Sequence, residues 1–180
     1  MRRLGNRYTL FGMLIFMLTP SLCFSQVATS ESEDALVKEH RAGRSKPPST
    51  MASPGSEEIE EIAFTTTQCL GPCPSYTVHF FKDGRITFVP YLFTHDRQAT
   101  DGRISQETFR ALAEAALSAG FFKLASTYSS PITDQPGVLT LVASPGARKV
   151  ILDYANRGPE QLRQFENKLK EAARDAVGLP

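Results

Sequence analysis

From Tyr76 to Tyr91 large apolar residues recur at every second position on both sides of Asp83-Gly84. A period of two is the signature of a strand, because successive side chains point to opposite faces. Asp and Gly both tolerate positive φ, so Asp83-Gly84 reads as the turn of a β-hairpin. A two-residue turn pairs Lys82 with Arg85, Phe81 with Ile86, His79 with Phe88 and Val78 with Val89. It gathers Tyr76, Val78, Phe80, Thr87, Val89 and Tyr91 on one face. A longer, bulged turn shifts this register and exchanges the faces of one strand. Both faces are fairly apolar, so both are expected to be partly covered.

The same reading extends along the chain. Ile62, Phe64 and Thr66 alternate with Ala63, Thr65 and Thr67, which suits a first strand. Residues 92–103 are polar and without clear period, an edge strand or an open loop. Ser105 is an expected N-cap, with Glu107 in the first turn. Phe109, Leu112, Ala113, Ala116 and Leu117 then fall on one helical face, and Gly120 supplies the stop. Residues 128–137 read as loop. A second hairpin follows, 138–143 and 149–154, joined at Pro145-Gly146. Pro159 is expected at the first position of a last helix. Its buried stripe is Leu162, Phe165, Leu169, Ala172 or Ala173, and Ala176, and Gly178 ends it. The order β-ββ-α-ββ-α predicts a two-layer α+β sandwich: an antiparallel sheet of about five strands with two helices on one face.

Ahead of this domain lie two segments of different character. Arg2, Arg3 and Arg7 precede an apolar run, 8–18, and then Pro20, Cys23 and Ser25. Charge, apolar run and small residues in that order form a secretory signal, with cleavage predicted after Ser25. The run is short of the roughly 20 residues that span a bilayer, so no stable membrane span is expected after cleavage. Leu22 precedes Cys23 where a lipid anchor needs a small residue. Residues 26–57 are rich in Ser and Pro and hold few large apolar residues, among them Leu36, Val37 and Met51. They are expected to be a disordered tether, since little apolar surface is available to offset ordering. A short helix at 34–40 has, on this reading, nothing to pack on. The domain itself is 58–180, with thirteen Lys and Arg against fourteen Asp and Glu, a balance of −1. No basic stripe marks a nucleic-acid partner.

Cys69 and Cys73 are the chemistry-bearing pair. After export an oxidising compartment favours a structural disulfide between them. Its short loop is worth roughly 2 kcal/mol by the chain-entropy model. Redox catalysis more often uses two intervening residues at a helix N-terminus; here three intervene and a strand follows. A metal site would have to draw on Cys69, Cys73, His79 and His95, and zinc sites usually bring two tight ligand pairs. His79 reads as a half-covered strand residue. Asp134 reads as the cap of its own turn, and Asp153 and Tyr154 as surface or edge residues at a strand end. Ser75 has no histidine or carboxylate whose spacing marks a triad. There is no glycine-rich phosphate loop. No catalytic residue, no metal site and no cofactor is assigned.

The stretch CLGPCPSYTVHFFKDG resembles the signature of a bacterial family of exported proteins known as a domain of unknown function, Cys-x-Gly-x-Cys-Pro-x-Tyr followed by Asp-Gly. Cys69, Gly71, Cys73, Pro74, Tyr76, Asp83 and Gly84 carry the resemblance. It continues in AGFFKL, in Thr133, Asp134 and Pro136, in Lys149, Val150, Asp153 and Tyr154, and in the helix led by Pro159. The chain departs from it at Thr65, Thr66 and Thr67, where an arginine is usual. It departs again at Leu169-Lys170, where Ile-Asp is usual, and in having no tryptophan. The resemblance implies a fold and boundaries without a reaction. The expected function is therefore an exported binding module of the periplasm or envelope, with an unknown envelope protein or small ligand as partner. Its expected contact surface is the loops of Leu70, Ser75, Tyr76 and Asp134. The rival expectation is a thiol-redox or hydrolytic enzyme.

Overall fold

The computed structural model describes residues 31–43 and 53–179; the expected signal peptide, 1–25, and parts of the expected tether, 26–57, lie outside the described residues. In chain order the elements are α1 (Glu31–Arg41), β1 (Glu61–Thr66), β2 (Ser75–Phe81), β3 (Arg85–Leu92) and β4 (Thr100–Arg103). Then come α2 (Gln106–Ser118), β5 (Thr127–Tyr128), β6 (Gly137–Ala143), β7 (Arg148–Tyr154) and α3 (Glu160–Val177). The seven strands form one sheet in the order β4-β3-β2-β1-β6-β7-β5. Every neighbouring pair is antiparallel except β5 and β7, which run parallel.

This corrects the expected five-stranded antiparallel sheet with two helices. The class remains α+β, but the sheet is mixed, has two additional edge strands, and carries three helices. α2 and α3 cover one face, over Ile62, Phe64, Val78, Phe80, Ile86, Phe88 and Ile151. α1 packs on the other: Leu36 is buried among Ala63, Leu139, Leu141 and Val150. These four alternate along β1, β6 and β7 with Ile62, Phe64, Val138, Val142 and Ile151 of the first face, so the sheet lies between two helical layers. Burying Leu36 contributes roughly 2 kcal/mol. Arg148 fastens α1 with a two-pronged hydrogen bond to Glu39, 2.8 and 3.1 Å, and a third bond to Glu61, 3.1 Å. Burial works against the Arg148 charge, but the two carboxylates outweigh it and raise its pKa. The helix thus has a partner surface that the sparse apolar content of 26–57 did not announce.

The central hairpin takes the longer turn. Gly84 N–H donates to the Phe81 carbonyl (2.9 Å), and Gly84 has φ +82. This is a type I turn closed by a left-handed residue, which inserts one residue relative to a two-residue loop. Val78 therefore opposes Phe88 and Phe80 opposes Ile86. The apolar residues of β2 and β3 fall together on the α2–α3 face. A Cβ at Gly84 would come 2.6 Å from the Ile104 carbonyl oxygen, so no other residue fits that turn unchanged.

Ser105 caps α2 by accepting from Thr108 N–H at 2.9 Å. Pro159 stands one place earlier than expected: it is the N-cap of α3, and the helix begins at Glu160. Leu162, Phe165, Leu169, Ala173 and Val177 form the buried stripe of α3. Phe165 meets Phe121 edge to face, 5.9 Å between centroids, tying α3 to the turn after α2.

Candidate functional site

One end of the sheet is closed by the tight turns at 82–84 and 144–147. The other carries the long connections 67–74, 93–99, 129–136 and 155–159. Three consecutive threonines fix the geometry of this second end. Thr65 and Thr77 share a hydroxyl–hydroxyl bond of 2.6 Å across β1 and β2. The Thr66 hydroxyl donates to the Pro74 carbonyl (2.8 Å) and accepts from Tyr76 N–H (3.1 Å). Thr67 exchanges bonds with Gly137, its hydroxyl accepting from Gly137 N–H at 2.8 Å. Hydroxyls thus seat both arms of the cysteine loop on the sheet, at the place where an arginine was expected from the resemblance.

Cys69 and Cys73 lie at disulfide distance, their Cα atoms 5.8 Å apart. Leu70 N–H donates to the Asp134 carbonyl at 3.3 Å, so the cysteine loop and the Asp134 loop touch. Leu70 is 83 % exposed and Asp134 is exposed at φ +64. Ser75 is buried, its hydroxyl donating to the Thr66 carbonyl at 2.9 Å. It belongs to the seat of the loop and offers nothing at the surface. Tyr76 is nearly buried, its ring edge-on to Phe64 and tilted against Phe88.

Tyr76 borders a cleft of about 450 Å³ between the cysteine loop and α3. Pro74, Pro136 and Val138 give it apolar walls, Thr66 and Asn156 add polar atoms, and Lys170 and Arg174 reach it from α3. Burial raises the Tyr76 phenol above its ordinary pKa, while the Arg174 charge pulls the other way. The phenol therefore keeps its proton at neutral pH. Lys170 and Arg174 are one helical turn apart and share a face. Their signal in the sequence was a cation pair flanking the buried stripe of α3, which reads equally well as ordinary helix surface.

Two carboxyl groups lie beneath this end of the sheet. Asp153, read from the sequence as a surface or edge residue, is buried; it pairs across the sheet with Val138 of the cleft wall. Its Oδ1 accepts from Gly158 N–H at 2.7 Å, while Oδ2 has no hydrogen-bond partner among the described residues. Glu166, also buried, accepts from the Thr140 hydroxyl at 3.0 Å. Burial, and then the neighbouring Asp153, push the Glu166 carboxyl up to about 8. Glu166 was invisible to the sequence reading because a glutamate on an amphipathic helix passes for its wet face.

His79 is engaged elsewhere, its Nδ1 2.8 Å from Glu61 Oε1 on the α1 side of the sheet. Among the described residues no three His, Cys, Asp or Glu side chains gather as a metal site. No described helix is long and apolar enough to cross a membrane.

Sheet, helices and looped cleft together define an α+β domain whose one elaborated end holds a cysteine-closed loop. Residues 60–173 match the family described as a domain of unknown function, DUF6438, and the chain belongs to that family. The match takes in the cysteine loop, the central hairpin, the Asp134 loop and most of α3. No curated protein matches the chain.

Proposed function

We propose that the protein is a bacterial exported binding module that engages an envelope partner or ligand through the loop end of its sheet. The export half of this reading rests on the charge, apolar run and small residues of 1–25. The binding half rests on one observation. The four large apolar side chains exposed among the described residues are Leu70, Phe93, Ile132 and Leu92, and all four lie at that end. Large apolar side chains cost free energy in water, and their gathering at one rim is the mark of an interaction surface. The cysteine pair acts here as a staple that holds Leu70 forward.

Cross-linking from intact envelopes tests the proposal. Leu70→Asp with Phe93→Asp is expected to abolish recovery of the cross-linked partners. Lys82→Glu, at the opposite end, is expected to leave it unchanged. An identical partner set from the Leu70 and Phe93 variant would sink the assignment of this surface.

A further inference from the structure

We propose that the cleft beside the cysteine loop is the binding site for the carboxylate of an apolar-bodied acid, held by Lys170 and Arg174. The inference rests on the binding-module reading and names the ligand class of the same end of the molecule. Three features carry it. First, Lys170 and Arg174 both line the cleft, and neither side chain has an ion-pair or hydrogen-bond partner among the described residues. Glu166 sits one turn before Lys170, but burial pushes its carboxyl up to about 8, which weakens it as a counter-charge at neutral pH. Second, the remaining lining is mainly apolar, with Pro74, Pro136 and Val138 facing the space where the body of a ligand would lie. Third, Tyr76 brings a protonated phenol to the same cleft, within the field of Arg174.

The chemistry of these groups selects the ligand. A guanidinium fork matches the two oxygens of a carboxylate, and a lysine adds a point charge beside it. Buried Asp153 lies beside Val138 on the neighbouring strand, and a carboxylate so placed repels a doubly charged anion such as phosphate more than a singly charged one. A cleft of about 450 Å³ admits one side-chain-sized body together with its acid group, within the usual range for small-ligand sites. Such a carboxylate has two sources, a free small acid or the C-terminus of a peptide.

The probes are 3-phenylpropionate and acetyl-alanyl-phenylalanine, each compared with its amide, titrated into the full chain and followed by calorimetry and amide NMR shifts. Both acids are expected to bind saturably, and the amides at least tenfold more weakly. Lys170→Met combined with Arg174→Met is expected to lower acid affinity at least tenfold while the Tm and circular dichroism stay unchanged. Tighter binding of the peptide assigns the carboxylate to a chain terminus, and tighter binding of phenylpropionate assigns it to a small acid. Amides that bind as well as the acids overturn the inference. So does a double variant that binds like the parent, or inorganic phosphate that matches the acids. If the acids fail while Leu70 and Phe93 still govern partner cross-linking, the ligand class falls and the binding module stands.

Discussion

The two ends of the sheet are built by different rules. At the turn end the backbone satisfies itself within a few residues: Ser144 N–H donates to the Ala147 carbonyl at 2.7 Å, and Ala147 N–H returns to the Ser144 hydroxyl at 3.1 Å. Its one left-handed turn residue is a glycine, Gly84. At the loop end stand all the non-glycine residues with positive φ among those described: Phe93, His95, Asp96, Asp134, Ala155 and Asn156. For an L-residue this region costs roughly 1–2 kcal/mol, less for Asn and Asp. The loop end also carries the exposed apolar side chains, the cysteine pair and the buried acids. A fold that closes one end so economically shows that its chemistry did not force strain on the other. Strain confined to one end, beside exposed apolar surface and a cleft, is what a binding end looks like when rigid strands position irregular loops.

The hardest blow to this contrast falls on the buried acids, which the turn end lacks. Glu166 has a folded-state pKa of about 8 against an ordinary value of 4.5. Between those two values the native state holds a proton that the unfolded chain has released. Its contribution is therefore complete below about pH 4.5 and is lost as pH rises toward 8. Over that window the loss attributable to this group is on the order of 4 kcal/mol. Glu166→Gln keeps an acceptor for the Thr140 hydroxyl and removes the titration. Urea unfolding from pH 4.5 to 8.5 is expected to show the variant gaining on the parent by several kcal/mol. Parallel stability curves for the two proteins would mean that Glu166 is ionised in the fold, and the idea of a proton held beneath the loop end would be lost.

A second break separates stability from binding. Gly84→Ala must hold a side chain at φ +82 and displace the Ile104 carbonyl, which stands 2.6 Å from the new Cβ. The expected cost is about 3 kcal/mol, a left-handed penalty with a backbone shift added. Affinity for 3-phenylpropionate is expected to survive in the fraction that folds, because the change lies at the far end of β2 and β3 from the cleft. Denaturation and calorimetry on the same sample check both halves. A variant of full stability, or one that folds but has lost the acid, would show that the two ends are not separable.

How far the sequence anticipated this division depends on the range of the interactions involved. Hairpins, caps and helix stops are local, and Asp83-Gly84, Ser105, Gly120 and Gly178 announced them. The register of the central hairpin did not follow from the pattern, because one residue in the turn decides it and both faces of β2 are apolar. β4 and β5 are short edge strands, held by pairing to β3 and β7, and polar sequence gives no periodic sign of that. α1 depends on Leu36 and on Arg148, more than a hundred positions away, so composition alone made it a tether. The cysteine loop was legible as a motif. Its cleft was not: Tyr76, Lys170 and Arg174 meet only once α3 has crossed the sheet. Asp153 reads as a surface or edge residue and Glu166 gives no sign at all, since nothing in a sequence distinguishes a wet carboxylate from one buried by long-range packing.

The smallest test is the most direct probe of strain. Ala155 sits at φ +58 in the β7–α3 connection, its N–H donating to the Pro136 carbonyl at 3.0 Å. Alanine has no polar side chain to stabilise a left-handed backbone, unlike its neighbour Asn156. Glycine removes the steric penalty of roughly 1–2 kcal/mol but returns part of it, about 0.4–1 kcal/mol, as extra freedom in the unfolded chain. Ala155→Gly is therefore expected to stabilise the protein by about 0.5 kcal/mol, read as a higher urea midpoint with the slope unchanged. Most substitutions to glycine do the opposite, so even this small gain has a distinctive sign. A lower midpoint would mean that the Ala155 methyl packs more than it strains, and that the irregular backbone of the loop end is held without cost. Strain could then no longer serve as the mark that sets this end apart, and the binding assignment would rest on Leu70, Phe93 and the cleft alone.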